Sequence, residues 1–315
     1  MKVIHDFELP PDLKKALKRA KKLEWITLVY LISVVIIMYF SLGSSQAMKT
    51  AWLEDVLSLV PSIAFLISSK INSKAPNKRF PYGYHRVFSI SFLTGAVALL
   101  GMGIFLVYDS SMALIKADHP TIGSKMFFGY EVWMGWVMIL ALLYSAIPAM
   151  ILGMKKIPLS EDLHNKLLFT DASAQKADYM TALAAILGIL GVGAGIWWAD
   201  AVAALFISIS VLRDGLKHVK TASFDLMDRY PQRLNTTDED EIILKVEETA
   251  RSWPWVAGAK VRFRESGQVY FGQVAVVPKG KIDLDDIARG YEELRSLHWK
   301  IHDFTIDPVR KLPPW

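Results

Sequence analysis

Five charged side chains interrupt stretches that are otherwise apolar enough for lipid: Glu54, Asp55, Asp171, Lys176 and Asp178. Asp171 and Asp178 are seven residues apart, so on a helix they share one face, one above the other. Glu54 and Asp55 stand near the start of another apolar run. Lys176 lies about 200° around a helix from Asp178, so it reaches sideways to a carboxylate or along the helix. An ionisable group at mid-membrane costs about 3 kcal/mol or more, needs a partner and usually marks a pathway. Four carboxylates against one lysine are negative when all ionise. Such a group attracts a cation or holds protons, the two halves of a cation/proton exchange. With no Cys or His at these positions, the ligands are oxygens: Asp55 and Asp178, with Glu54, Asp171, Ser58, Gln175 and water as further candidates. Oxygen sets suit harder ions such as Mg²⁺ or Mn²⁺ better than Zn²⁺. The competing reading is a structural salt bridge in which Lys176 holds Glu54 or Asp178 and ties two helices together.

The elements that must position these groups are visible in the hydropathy. The chain has 315 residues, 52% of them hydrophobic, and the apolar density is concentrated in roughly the first two thirds. Six spans are expected, over 25–48, 51–69, 87–108, 132–154, 167–198 and 200–219, within a membrane domain of 24–222. Residues 1–23 read as a basic amphipathic segment, with Leu13, Leu17, Ala20 and Leu23 on its apolar face, suited to an anionic lipid surface. Lys and Arg crowd this segment, the loop containing Lys70, Lys74, Lys78, Arg79 and Arg86, and Lys155-Lys156. The positive-inside rule therefore puts both termini in the cytosol. No signal peptide is expected. Residues 232–315 form a small cytosolic α+β domain of order αββαβ, with strands over 256–263, 268–277 and 299–306. His298 and His302 read as surface residues. The fold class is thus an α-helical membrane bundle followed by an α+β domain.

Several motifs in order resemble the cation diffusion facilitator family. Arg79-Phe80-Pro81-Tyr82-Gly83-Tyr84-His85-Arg86 looks like its H-P-Y-G-H-x-R/K segment between helices two and three. Asp171 to Asp178, with Asp200 beyond, looks like its A-D-x-x-H-x-x-x-D signature on helix five and the hairpin that follows. Leu226-Met227-Asp228-Arg229 looks like the L-L-D-x that ends helix six. The resemblance implies a six-helix bundle with a ferredoxin-like cytosolic domain, a homodimer, and proton-coupled export of a divalent cation such as Mn, Mg, Fe, Co or Zn from a bacterial cytoplasmic membrane. It also implies that Arg86 and Asp228 pair to tie the bundle to the cytosolic domain, so that swapping both charges rescues the single mutants. The chain departs from the family pattern at two ligand positions. Asp55 matches the first acid of helix two, but Leu59 stands in place of the second. Asp178 matches the acid of helix five, but Ala174 replaces its histidine.

Two other readings stay open: a non-transporting regulatory or scaffold dimer, and a carrier of a non-divalent substrate whose site Lys176 neutralises. An enzyme is not expected, because no nucleophile–base constellation or nucleotide loop is present. Neither a permanent cofactor nor a nucleic-acid partner is expected. The net charge of +5 is accounted for by the basic residues beside apolar spans.

Overall fold

A computed structural model describes residues 9–117, 119–127, 129–234, 236 and 238–314. The first eight residues of the basic segment fall outside that set. The described part of the segment is continuous with the first long helix, α1 (Pro11–Ser41). Pro11 starts it, where a missing N–H costs nothing and the fixed φ suits a helix. At 31 residues α1 is about 46 Å long, more than the ~30 Å of hydrocarbon. It ends ahead of Gly43, which takes a left-handed φ of +55°.

The next helices are α2 (Gln46–Asn72), α3 (Val87–Ile115), α4 (Met134–Asp162), α5 (Lys166–Gly193) and α6 (Ala199–Leu226). A hairpin of β1 (Ser124–Phe127) and β2 (Tyr130–Trp133), absent from the sequence reading, joins α3 to α4. The helices α1 to α5 are each long and apolar enough to cross a membrane. Helix α6 is 28 residues long, but its second half carries Arg213, Asp214, Lys217 and Lys220, which lower its mean hydropathy. Its other face is buried through Ala203, Ala204, Ile207 and Val211, in one cluster with Met48, Met138 and Ile189. On α3 the heptad-spaced Ile90, Val97 and Ile104 are 56%, 53% and 58% exposed, and exposure of that kind along a whole helix calls for lipid. The protein is an integral, multi-pass membrane protein.

Small residues let these helices approach closely. A Cβ on Gly191 would lie 2.4 Å from that of Ala199, and one on Gly188 2.8 Å from that of Ala203, so glycines of α5 meet alanines of α6. Asp200 closes this corner from α6. Its carboxylate accepts from Ser45 Oγ at 2.6 Å and from the backbone N–H groups of Gln46 and Ala47, capping α2 from a different helix.

The chain divides into two compact units. One holds Ala16–Ser69 and Ile90–Ala222; the other holds Lys70–Ser89 and the chain from Ser223 onward. In the second, α7 (Glu241–Ser252), β3 (Val256–Ser266), β4 (Val269–Pro278), α8 (Leu284–Leu297) and β5 (Ile301–Pro308) follow in the expected order. Strand β4 is central, antiparallel to β3 and parallel to β5. Ile243, Val246 and Ala250 of α7 and Leu294 of α8 bury with Phe263, Val274, Phe304 and Ile306 of the sheet.

Asp240 caps α7, accepting from Ile242 N, and also takes the Tyr270 hydroxyl at 2.6 Å and Lys300 Nζ at 2.9 Å. Burial raises its carboxyl, but these donors outweigh that and hold it down to about 2. An unfolded aspartate titrates near 3.9, so the folded state binds fewer protons. The contribution, about 2 kcal/mol, is complete above pH ~4 and is lost as pH falls through 2. Hydrogen exchange of the α7 amides, corrected for intrinsic rates, is expected to quicken over that window in the wild type and to be pH-independent in Asp240→Asn.

Candidate cation site

Helices α2, α4 and α5 bring three acids together. Glu54, Asp55 and Asp178 line a small cavity of about 10 Å³ with Ser145 and Thr181, a volume on the order of one water or one ion. Asp55 is buried, and Ser145 Oγ lies 3.0 Å from both of its carboxylate oxygens. Ser145 lies three residues before Pro148 within the continuous helix α4. Pro148 has no N–H to give the carbonyl of Tyr144, four residues back. Tyr30 of α1 donates its hydroxyl to that carbonyl at 2.7 Å and to the carbonyl of Ser145 as well. Tyr144 in turn shares a 2.8 Å hydrogen bond with Ser33. The Tyr30 hydroxyl thus supplies the donor that the proline lacks, one residue before the Ser145 that meets Asp55.

A second cavity, about 90 Å³, shares Glu54 and Asp178 with the first. It is lined further by Leu57, Pro61, Phe92, Asp171, Gln175 and His218. Pro61 likewise leaves the Leu57 carbonyl without a helical donor. This cavity runs along the middle of α2, the first half of α3, the start of α5 and the second half of α6; the basic loop of Lys70–Arg86 joins α2 to α3. Acceptor oxygens on its lining residues, Glu54 Oε2 and Gln175 Oε1, find no donor among the described residues. An acid pair, an adjacent third acid and hydroxyls therefore form the oxygen set. Among the described residues no three His, Cys, Asp or Glu side chains converge tightly enough to make a metal cluster by themselves.

One sequence expectation needs correction. Lys176 is exposed and, among the described residues, holds neither Glu54 nor Asp178; its position far around α5 from Asp178 turns it out of the bundle. Asp171, a further candidate ligand in the sequence, is held by partners of its own. It takes Lys156 Nζ of α4 at 2.7 Å and both contacts of Gln175 Nε2, at 3.1 and 3.2 Å. Lys156 also reaches Glu24 of α1 at 3.0 Å, and all three side chains are at most 3% exposed. The sequence did carry a signal for both missed residues. Glu24 directly abuts the uncharged run of span one, and Lys156 follows span four. Lys156 reads there as an ordinary flanking charge.

In the other unit, Arg86 pairs with Asp228 at 2.6 Å. A third partner, Arg264 of β3, takes the other carboxylate oxygen at 2.8 Å. Asp228 ends α6 in the left-handed region, φ +59°, with Arg229 N donating back to the Phe224 carbonyl. Glycine normally fills such a position; aspartate is among the few other residues that tolerate it. The double charge swap is therefore expected to rescue only in part. An arginine introduced in place of Asp228 would still face Arg264, so Arg86→Asp/Asp228→Arg should melt above Asp228→Arg, which faces two arginines, but no higher than Arg86→Asp. Adding Arg264→Asp should recover most of a loss that, for half-exposed pairs, is about 1 kcal/mol. His302 is not a surface residue either. It is half-buried with its ring 4.7 Å from that of His85, and Phe271 touches both. Burial, with His302 adding to it, pushes the His85 imidazole down to about 3.

A bundle of long apolar helices with buried acids, followed by a small α+β unit, defines an integral helical membrane protein. The profile of the cation efflux transmembrane domain matches residues 24–227, and the chain belongs to that family, the cation diffusion facilitators. It is similar to the manganese efflux system protein MneS of Bacillus subtilis, 22% identical over 186 residues, 59% of this chain and 60% of that protein. It is also similar to the magnetosome protein MamB of Paramagnetospirillum magneticum, 26% identical over 59% of each chain. The manganese efflux system protein MneP of B. subtilis is 23% identical over 65% of this chain and 68% of its own length. The matched region thus spans about three fifths of the first two relatives.

Proposed function

We propose that the chain exports a divalent metal cation, Mn²⁺ before Zn²⁺, in exchange for protons. The observation that carries this is the shared cavity: Asp55 and Asp178, from α2 and α5, line one ion-sized space with Glu54 and Ser145. Asp55 and Asp178 are the principal ligands, Glu54 the third, and hydroxyls and water complete the shell. Metal binds the ionised carboxylates; protons arriving from the opposite side neutralise them and release it. An all-oxygen set favours a hard ion, and two similar proteins bear manganese efflux names. Six crossings, counting α6, put both termini in the cytosol of a bacterial cytoplasmic membrane. The 90 Å³ cavity then lies on the cytosolic half, where cargo for export must enter. Alternating access in a homodimer completes the reading, with the α+β unit, a ferredoxin-like fold, on the cytosolic side.

The test is metal-driven proton movement in proteoliposomes carrying a trapped pH dye. A Mn²⁺ gradient is expected to move protons the opposite way. No proton response to Mn²⁺, Mg²⁺, Fe²⁺, Co²⁺ or Zn²⁺ would remove the assignment.

A further inference from the structure

The fully buried group Glu24–Lys156–Asp171 plays no part in the site just described, yet one of its members faces the ion route. Asp171 lines the 90 Å³ cavity and Glu24 does not. Lys156 sits between them, at 2.7 and 3.0 Å. Two carboxylates against one ammonium leave one excess negative charge when all three ionise, in a buried place where solvent screens it little. That excess calls for one more cation. The cavity supplies the matching acceptor: Gln175 is 1% exposed, gives both amide contacts to Asp171 through Nε2, and leaves Oε1 without a donor among the described residues. Turning the amide over would set two acceptors against each other, so chemistry fixes its orientation. Among the described residues Lys156 is the cation paired with Glu24, so Glu24 can hold the lysine when Asp171 lets it go.

We propose that Asp171 and Gln175 Oε1 form a vestibule subsite for the transported divalent cation, and that Lys156 is a tethered cation that keeps it weak. When the metal arrives, Lys156 releases Asp171 and stays on Glu24. When the metal moves on to Asp178, Lys156 closes over Asp171 again. The subsite is thereby kept from trapping its cargo. Glu24 is a positioning residue: it acts on the metal only by retaining the lysine. The cavity, at about 90 Å³, has room for an ion that keeps several waters.

This rests on the cation-carrier reading, and the two fail separately. The probe is Mn²⁺, bound and free fractions being read by electron paramagnetic resonance on the full-length protein in lipid nanodiscs. Wild type is expected to show a tight and a weak binding phase. Lys156→Gln should tighten the weak phase by about tenfold, and Glu24→Gln, which leaves the lysine wholly to Asp171, should weaken it by about as much. Asp171→Asn should delete the weak phase, and Asp178→Asn should spare it. A merely structural triad would move both phases together, or shift Lys156→Gln and Glu24→Gln in the same direction; either result overturns the subsite. So does a single phase that vanishes in Asp178→Asn, a result that leaves the carrier reading intact. No Mn²⁺ binding in wild type would overturn both. Should Lys156→Gln fail to fold, Glu24→Gln and Asp171→Asn decide the matter, since each keeps the lysine on one carboxylate.

Discussion

Asp178→Asn is expected to reduce Mn²⁺ flux into proteoliposomes by about 100-fold, equivalent to about 3 kcal/mol of lost cation stabilisation. The substitution keeps size and shape, and it removes a full charge from a space shared with Asp55 and Glu54. An amide oxygen still coordinates weakly but no longer exchanges a metal for a proton. Residual flux should therefore lose its dependence on the pH gradient. Asp55→Asn is expected to behave alike, with the added loss of Ser145's two contacts. Glu54→Gln should have a smaller effect, since Glu54 flanks the pair. Stopped-flow metal uptake with and without an imposed pH gradient measures all three. Normal flux in Asp178→Asn would place the cation elsewhere.

The second large effect falls on stability. Asp200→Ala should lower the melting temperature by about 10 °C, corresponding to about 3 kcal/mol. The carboxylate serves three donors at the start of α2, and removing it strands the Ser45 hydroxyl and two backbone N–H groups in a buried corner. Alanine also fills none of the space that the carboxylate leaves beside the close approach of α5 and α6 at Gly188 and Gly191. Thermal melting by intrinsic tryptophan fluorescence in detergent, with size-exclusion chromatography to monitor aggregation, checks this. Asp200→Asn, which keeps an acceptor, should lose less than half as much. An unchanged melting temperature in the alanine variant would show that the cap is dispensable.

The contrast between legible and hidden features has a physical basis. Helix existence was legible because a membrane imposes long uncharged runs, and 87–108 differs from α3 chiefly at its end. The α+β unit was legible because its apolar runs are short and a glycine turn separates β3 from β4; the turn falls at Gly267-Gln268, where Gly267 takes φ +67°. The helix breaks were less so. The first span was read through to residue 48, but α1 stops at Ser41 and α2 begins at Gln46, because a Ser- and Gly-rich turn can be as apolar as a helix end. The β1–β2 hairpin was missed because its strands are four residues each, too short for a periodicity to register.

The site was half legible. Acids in apolar runs stand out by cost alone, which is why Asp55 and Asp178 were singled out. Charge partners did not stand out in the same way, because pairing depends on which helices are neighbours. Lys176 was the lysine nearest in sequence, but Lys156, on the adjacent helix α4, is the one that meets Asp171. Likewise Arg264 is 36 residues from Asp228 and on a strand, and only the folded unit brings it to the same carboxylate.

The decisive measurement is anomalous scattering at the manganese absorption edge from crystals soaked in Mn²⁺. One strong peak is expected within ligand distance of the carboxylates of both Asp55 and Asp178, and it should vanish in Asp178→Asn. A peak remote from that pair, or none in crystals of a protein that still moves Mn²⁺, would contradict a metal seat between α2 and α5.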